Sequence, residues 1–231
     1  MKPITQYKAL VFDLDGTLYY QRRLRIKMAW MLLGYYLCHF WRIKELFVVK
    51  EFRKVREGWD AISKDSGFDE TDGTKAGTGA GLEDIQYAYI AKRMNETPEN
   101  VKNTVETWIY DKPLKAVYET RDVKLLEMIG RYRSLGQKIF IFSDYPIEDK
   151  LNALGLSADG MYAATDERVN ALKPDPRGLE LIMQDNGYDK SEILMIGDRM
   201  SRDGQAAINA GCDYVILPKS KPKREKLYKK M

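Results

Sequence analysis

The stretch that most constrains this chain is its first strand and the acidic turn that follows. Residues 8–12 have the apolar character of a short buried strand, and Asp13, Asp15, Gly16 and Thr17 follow it closely. Neighbouring side chains of a strand point to opposite faces, but the chain curls beyond the strand end, so both carboxylates can face one crevice. An aspartate pair at this position is equally compatible with turn or helix-cap chemistry. The rest of the sequence is needed to distinguish a functional site from a turn or a helix cap.

Three later segments carry polar residues in similar settings. They are residues 139–144, which end in Ser143 and Asp144; residues 172–176, which contain Lys173; and residues 193–198, which end in Asp198 and precede Asp203 by five positions. Together with the first segment they resemble the four motifs of the haloacid dehalogenase superfamily: a DxDxT strand end, a strand ending in Ser or Thr, an isolated Lys and a GDxxxxD strand end. The resemblance covers residues 8–18 and about 112–218.

The fold class follows from periodicity and from this resemblance. After residue 112, apolar strand runs alternate with helical patterns, which predicts a parallel sheet covered on both faces. The resemblance implies an α/β protein with a haloacid dehalogenase-like Rossmannoid parallel sheet core and an inserted all-helical cap domain. The predicted catalytic core is residues 1–18 and 112–231, and the predicted cap is residues 19–111. Within the cap, residues 66–81 are rich in glycine and predict a flexible linker or lid.

The resemblance also implies roles for the motif residues. Asp13 would be the nucleophile that forms an aspartyl-phosphate, and Asp15 would protonate the leaving oxygen and then activate water. Lys173 and Ser143 would contact the oxygens of the transferred phosphoryl group. Asp13, Asp15 through its backbone carbonyl, and Asp198 offer the hard oxygen ligands that suit Mg²⁺, the expected cofactor.

Several neighbouring residues are further candidates. Thr17 and Asp144 are expected to help bind the substrate beside Ser143 and Lys173, although Asp144 is also compatible with a helix cap. Asp203 is expected to hold Lys173 or a metal-bound water, and its alternative is a surface residue at a helix start. Arg199 is a weaker candidate of the same kind.

The acid two residues after Asp13 indicates the reaction class. Dehalogenases of this superfamily lack an acid at the position of Asp15, because they have no oxygen leaving group to protonate. Asp15 therefore favours a phosphatase that hydrolyses a small phosphomonoester. The alternatives are a phosphomutase, a phosphatase that acts on a lipid or polyprenyl phosphate at the membrane surface, and a protein of this fold that binds a partner without turnover.

Residues 22–58 are the least familiar part of the sequence. They contain no proline and predict one long helix, or two helices joined near Gly34. From Met28 to Trp41 the helix would be apolar around most of its circumference, which requires a cover. This run would reach about 21 Å, short of the roughly 30 Å core of a bilayer. The cover is predicted to be the cap interior or a second subunit in a homodimer. The alternative is an anionic membrane surface, with five aromatic residues at the lipid headgroups: Trp30, Tyr35, Tyr36, Phe40 and Trp41.

Charge and cysteine content indicate the partners and the cellular location to expect. Residues 22–58 carry a net charge of +7 and residues 219–231 carry +6, which leaves −9 for the rest of a chain whose total is +4. The lysine-rich C-terminus is predicted to be a frayed, solvated end, so no nucleic-acid partner is expected. Cys38 and Cys212 have no metal-ligand spacing, and no signal peptide is predicted before the first strand. The expected location is the cytoplasm, with peripheral membrane association as the alternative.

Overall fold

The computed structural model describes residues 2–65 and 81–231. The predicted glycine-rich loop therefore lies outside the described residues, apart from Gly81. The chain forms two compact units, Met1–Ile26 with Leu114–Met231, and Lys27–Pro113. The predicted core boundary after residue 18 differs from the observed one because the first turns of a long helix belong to the unit that contains the sheet.

The first unit is built on five parallel strands in the order β3-β2-β1-β4-β5. The strands are β1 Ala9–Phe12, β2 Lys138–Ser143, β3 Gly160–Ala163, β4 Ile193–Gly197 and β5 Asp213–Ile216. β1 is central, with Phe12 paired to Ile141 on one side and Ile196 on the other. This confirms the predicted α/β fold with a parallel sheet, and it brings the ends of β1, β2 and β4 to one edge.

Alternation along the strands divides the core into two apolar layers. Leu10 and Phe12 of β1 pack in one buried cluster, and Ala9 and Val11 pack in another. Both faces of the sheet are therefore covered by helices, as expected for buried parallel strands. The helices that follow residue 113 are α6 Leu114–Glu119, α7 Val123–Ser134, α8 Glu148–Leu154, α9 Arg177–Asn186, α10 Gln205–Ala210 and α11 Lys221–Tyr228.

The second unit is helical throughout its described residues. Its helices are α1 Gln21–Cys38, whose first turns belong to the other unit, α2 Lys44–Glu57, α3 Trp59–Asp65, α4 Leu82–Met94 and α5 Pro98–Val105, and a π-helical segment, Glu106–Asp111, continues α5. Thr97 caps α5 by accepting a hydrogen bond from the backbone N–H of Asn100 at 3.1 Å. The helices found in the described parts of this unit, residues 27–65 and 81–113, agree with the sequence pattern.

The break within residues 22–58 does not fall at Gly34, so the predicted joint is wrong. The α1 helix continues through Gly34, and the chain turns between His39 and Ile43. The corner is held by Glu45, whose Oε2 accepts hydrogen bonds from the Tyr36 hydroxyl at 3.0 Å and the Trp108 indole at 2.9 Å. Trp108 is remote in sequence, so the position of the joint depends on a tertiary contact.

The apolar circumference of α1 is covered on one side only. Met28 and Tyr36 are buried, whereas Trp30, Leu33 and Leu37 are exposed, with Leu37 at 73%. Their spacing of three and four residues places these exposed side chains on one helix face. The apolar stripe, as we call it, comprises Trp30, Leu33, Leu37, Phe40 and Trp41, all exposed.

The interior of this unit therefore does not cover the stripe residues, so that part of the prediction is wrong for them, and a second subunit as the cover stays a prediction. The five aromatic residues of the membrane hypothesis are not all exposed. Tyr36 is buried and Tyr35 packs on the rings of His39 and Trp108, so only Trp30, Phe40 and Trp41 stay exposed. Among the described residues, no helix has the length and apolar character needed to cross a bilayer.

Candidate active site

The site begins at the ends of β1 and β4, where the sheet edge collects acidic side chains. Asp13 follows β1, and Lys173 reaches it from the segment between β3 and α9. The Lys173 Nζ donates hydrogen bonds to Asp13 Oδ1 at 2.6 Å and to Asp203 Oδ1 at 2.7 Å. All three side chains are buried. The structure thus brings together three of the residues that the sequence singled out.

The electrostatics of this group are unusual because a single lysine faces several carboxylates. Burial raises the pKa of Asp13 well above its usual range, and the nearby Asp203 raises it further against the opposing pull of Lys173. Burial also raises the pKa of Asp198, again reinforced by Asp203. Burial opposes the charge of Lys173, but Asp13 and Asp203 outweigh it and raise the pKa of Lys173. The described residues therefore place more negative than positive charge at this point.

The donor set at this edge fits a metal ion. Asp13, Asp198 and Asp203 offer carboxylate oxygens that all lie within 4.8 Å of one another. The Oδ1 atom of Asp198 is buried and accepts no hydrogen bond from the residues that the structure describes. A buried carboxylate oxygen without a partner is costly unless a cation or water contacts it. The buried triad can therefore bind a metal.

Asp203 is engaged differently from the other two carboxylates. Its Oδ2 accepts hydrogen bonds from the backbone N–H of Asp198 at 3.1 Å and of Arg199 at 2.9 Å, while Oδ1 accepts from Lys173. Both oxygens are thus occupied, so Asp203 positions Lys173 and the loop after β4. Asp13 likewise has a donor on each oxygen, Lys173 on Oδ1 and Thr17 on Oδ2, whereas Asp198 has a buried oxygen, Oδ1, that no described residue contacts by a hydrogen bond.

Gly16 is the tight point of the acidic turn. Its φ is +102°, a backbone conformation that glycine adopts without strain, and an added Cβ would lie 2.6 Å from Asp198 Oδ2. Any larger residue would therefore displace the carboxylate that faces the metal position. The glycine in the first motif is explained by this close approach.

Asp15 lies beside the triad and is less buried than Asp13. Its Oδ1 accepts hydrogen bonds from Lys150 at 2.7 Å and from the Tyr19 hydroxyl. Its Oδ2 is 3.5 Å from the Ser143 hydroxyl, which donates to it. One oxygen is therefore fixed by two donors, and the other faces the Ser143 hydroxyl.

Lys150 is a site residue that the sequence analysis missed. It is buried on α8 and forms an ion pair with Asp15 at 2.7 Å. Nothing in the α8 sequence distinguishes this lysine from a solvated one. Only its burial beside a carboxylate that is distant in sequence reveals it.

Thr17, Ser143 and Asp144 lie at the same edge. Thr17 donates to Asp13 Oδ2 at 2.8 Å, so it orients the carboxylate. The Ser143 hydroxyl, at the end of β2, accepts the Tyr145 backbone N–H at 3.0 Å. Asp144 accepts the Lys173 backbone N–H at 2.8 Å and so positions the lysine segment. Arg199 contributes its backbone N–H to Asp203, as described above.

The C-terminal segment also supports the site, so the prediction of a frayed end is wrong for α11. Arg224 is buried at 1% exposure. It donates to the backbone carbonyls of Gly16 and of Thr17, the latter at 2.8 Å, and pairs with Asp122 at 3.1 Å. The lysine-rich composition of this segment did not single out Arg224, which binds the backbone carbonyls of the acidic turn.

Comparison with known proteins identifies the family. The family model of the haloacid dehalogenase-like hydrolases matches residues 7–211. The chain belongs to this family of hydrolases. No curated protein sequence matches the chain significantly.

Solved structures share the fold at low sequence identity. A hydrolase of this family, YfnB from Bacillus subtilis, bound to magnesium, is 13% identical, with 92% of this chain and 89% of that one covered and a TM-score of 0.56. A predicted phosphoglycolate phosphatase from Haemophilus somnus is 18% identical, with coverage of 93% and 87% and a TM-score of 0.53. A 2-haloacid dehalogenase from Pseudomonas syringae is 15% identical, with coverage of 91% and 86% and a TM-score of 0.56. Phosphatases and dehalogenases are thus both similar to this haloacid dehalogenase-like hydrolase.

Proposed function

We propose that this hydrolase is a Mg²⁺-dependent phosphatase that cleaves a phosphomonoester through an aspartyl-phosphate on Asp13. The observation that carries the proposal is Asp15, a second carboxylate two residues along, with one oxygen held and the other beside Ser143. An alkoxide leaving group needs a proton, whereas a halide leaving group does not. A positioned acid at Asp15 is therefore useful in ester hydrolysis.

The proposed steps use the residues in the order of the chemistry. An Asp13 oxygen attacks phosphorus in line, and Asp15 gives its proton to the departing ester oxygen, which leaves as an alcohol. Asp15 then takes a proton from water as that water attacks the aspartyl-phosphate, releasing phosphate and restoring Asp13. Lys173 and Ser143 supply donors for the phosphoryl oxygens.

The carboxylates at this edge need a cation to accept a phosphate beside them. Asp13, Asp198 and the backbone carbonyl of Asp15 would hold Mg²⁺, which prefers hard oxygen ligands. When bound, Mg²⁺ neutralises phosphoryl charge and polarises the phosphorus–oxygen bonds. The unpartnered Oδ1 of Asp198 supports this assignment.

The test compares phosphate release from p-nitrophenyl phosphate with chloride release from 2-chloropropionate by the same preparation. We expect phosphate release with Mg²⁺ that falls at least about tenfold on chelation with EDTA, because the buried carboxylates then repel the ester. Mg²⁺ should also raise the melting temperature, since a ligand that binds only the folded state stabilises it. Asp198→Asn, which removes a charged ligand, should lose both effects. Chloride release without phosphate release would contradict the proposal.

A second candidate function concerns where the substrate resides. We propose that the apolar stripe rests on an anionic membrane, so that the substrate is a lipid or polyprenyl phosphate. Cations flank the stripe, with Lys27 before it and Lys44 and Arg42 after it, of which Arg42 is paired with Glu45 at 2.5 Å, and residues 22–58 carry +7. Exposed aromatic side chains beside cations suit the headgroup region of an anionic bilayer. The cytoplasmic leaflet is the proposed site, where free Cys38 and Cys212 stay reduced.

We expect the protein to sediment with vesicles of phosphatidylglycerol and phosphatidylcholine, and to remain in the supernatant with phosphatidylcholine alone. Trp30→Ser with Leu37→Ser should lower the bound fraction at least about tenfold, because two exposed apolar side chains no longer enter the bilayer. Added salt should weaken binding as it screens the cations.

The control replaces two exposed apolar residues outside the stripe, Leu135→Ser and Met161→Ser. These changes should leave vesicle binding unaltered. Sedimentation velocity without lipid tests the competing homodimer. If wild type is a dimer and the Trp30/Leu37 variant is a monomer, the stripe is a subunit contact and the membrane proposal fails.

A further inference from the structure

A cavity of about 440 Å³ opens beside the candidate active site, within the unit that contains the sheet. It is lined by residues of the acidic turn, the first turns of α1, the loop after β4 and the segment around the start of α11. Asp198 and Gly16 form its wall on the side of the metal position. Asp13 and Lys173 do not line it, so the cavity is distinct from the place where the phosphoryl group would be transferred. Its volume is within the range of small-ligand sites.

The lining is strongly basic. Six of its side chains are cationic, against one carboxylate, Asp198: Arg22, Arg23, Arg25, Lys219, Lys221 and Arg224. The sequence contributes them from two segments that are almost two hundred positions apart, which the sequence analysis treated as separate basic patches. The fold therefore joins the starts of both patches at one cavity.

Five of these cations are available to a ligand. Arg224 is buried and committed to backbone carbonyls and Asp122. Arg23 lies over the Tyr20 ring at 5.2 Å, with its side chain exposed. Within residues 2–65 and 81–231, no carboxylate forms an ion pair with Arg22, Arg25, Lys219 or Lys221. Like charges gathered without counter-charges repel one another, and an anion in the cavity would relieve that repulsion.

We propose that this cavity binds a second phosphate-like anionic group carried by the leaving portion of the substrate. The inference rests on the proposed phosphatase function and narrows its substrate class to bis-anionic phosphate esters, such as a bisphosphate. The transferred group would lie at Asp13 and Lys173, while the second group would lie past Asp198 among the exposed cations. Arginine and lysine are the side chains that recognise phosphate by charge-assisted hydrogen bonds.

The gain in affinity from a second phosphate distinguishes an anion-binding site from a solvated basic surface. The probes are propyl phosphate and the bisphosphate of propane-1,3-diol, which differ only in the second phosphate. Titration calorimetry with Mg²⁺ uses the Asp13→Asn protein, in which turnover is blocked. We expect the bisphosphate to bind at least about tenfold more tightly, since two or more charge-assisted contacts are added. The same preference is expected in kcat/KM of the wild-type enzyme.

Two double variants test whether the cavity cations cause the preference for the bisphosphate. Arg22→Gln with Arg25→Gln, and Lys219→Gln with Lys221→Gln, should each bring the ratio of the two affinities down toward one. The matched control is Lys223→Gln with Lys226→Gln, which removes the same charge from exposed residues of α11 outside the cavity. The control should retain the preference, because only the cavity cations contact the second phosphate.

The outcomes distinguish this inference from the phosphatase proposal. Hydrolysis of propyl phosphate with no preference for the bisphosphate overturns the cavity assignment and leaves the phosphatase intact. A preference that survives both cavity variants also overturns it. Tight bisphosphate binding that depends on the cavity, without hydrolysis of either ester, supports the anion site and overturns the phosphatase proposal.

Discussion

Asp13→Asn should abolish hydrolysis of p-nitrophenyl phosphate, lowering kcat by at least about 10⁴-fold, because an amide cannot form the aspartyl-phosphate. The fold should survive the change. Asp13 is buried near Asp198 and Asp203, and burial and these two carboxylates oppose its charge, which raises its pKa. The neutral amide removes part of that repulsion, and Lys173 keeps Asp203 as its partner. We therefore expect the melting temperature without Mg²⁺ to be equal to or above that of wild type.

Kinetics and thermal melting of the same preparation check both halves of this prediction. Asp149→Asn is the matched control, since this exposed aspartate is on α8 away from the triad and should leave kcat unchanged. Residual activity of the Asp13→Asn protein within tenfold of wild type would contradict the assignment of Asp13 as nucleophile. Loss of activity together with a large fall in the melting temperature would indicate a structural role instead.

Lys173→Met should have the largest effect on stability. Lys173 is 1% exposed, and its Nζ contacts Asp13 at 2.6 Å and Asp203 at 2.7 Å. Removing the cation leaves two buried carboxylates without their partner, which typically costs about 3–5 kcal/mol of unfolding free energy. Urea denaturation at neutral pH without Mg²⁺ measures the loss. Activity should fall as well, since the donor to the phosphoryl oxygens is absent.

The stability lost in Lys173→Met should depend on pH in a defined direction. The pKa of Lys173 is raised in the folded state, so its stabilising charge is fully present below its ordinary pKa and is lost only as pH rises through the higher folded value. In the variant, the raised pKa of Asp13 means that a falling pH protonates the uncompensated carboxylate. The stability difference between wild type and Lys173→Met should therefore shrink toward acidic pH.

Asp203→Asn in the Lys173→Met background provides the internal control. It removes one of the two uncompensated charges, so it should recover part of the lost unfolding free energy. The recovery distinguishes charge burial from loss of packing around the lysine stem, which the second substitution does not restore. A stability loss that is independent of pH and is not reduced by Asp203→Asn would contradict the electrostatic account.

The local sequence determined the strands and the residues at their ends. Apolar runs such as residues 193–197, alternating with helical patterns, predict burial in a parallel sheet, and the carboxyl ends of such strands share one edge. The sequence alone therefore predicts a common edge for Asp13, Ser143 and Asp198. The glycine and threonine after Asp15 are explained by the same turn.

Contacts between distant residues were decided by tertiary structure alone. Lys150 and Arg224 look like ordinary solvated cations in the sequence, and only the packing of α8 and α11 buries them against Asp15 and the acidic turn. The joint after α1 depends on the contact of Glu45 with Trp108 within the helical unit. Composition reports how apolar a helix is, but not which of its faces meets a neighbour, so the exposed stripe could not be foreseen. Likewise, charge counts found two basic patches, and only the fold joined part of each beside Asp198.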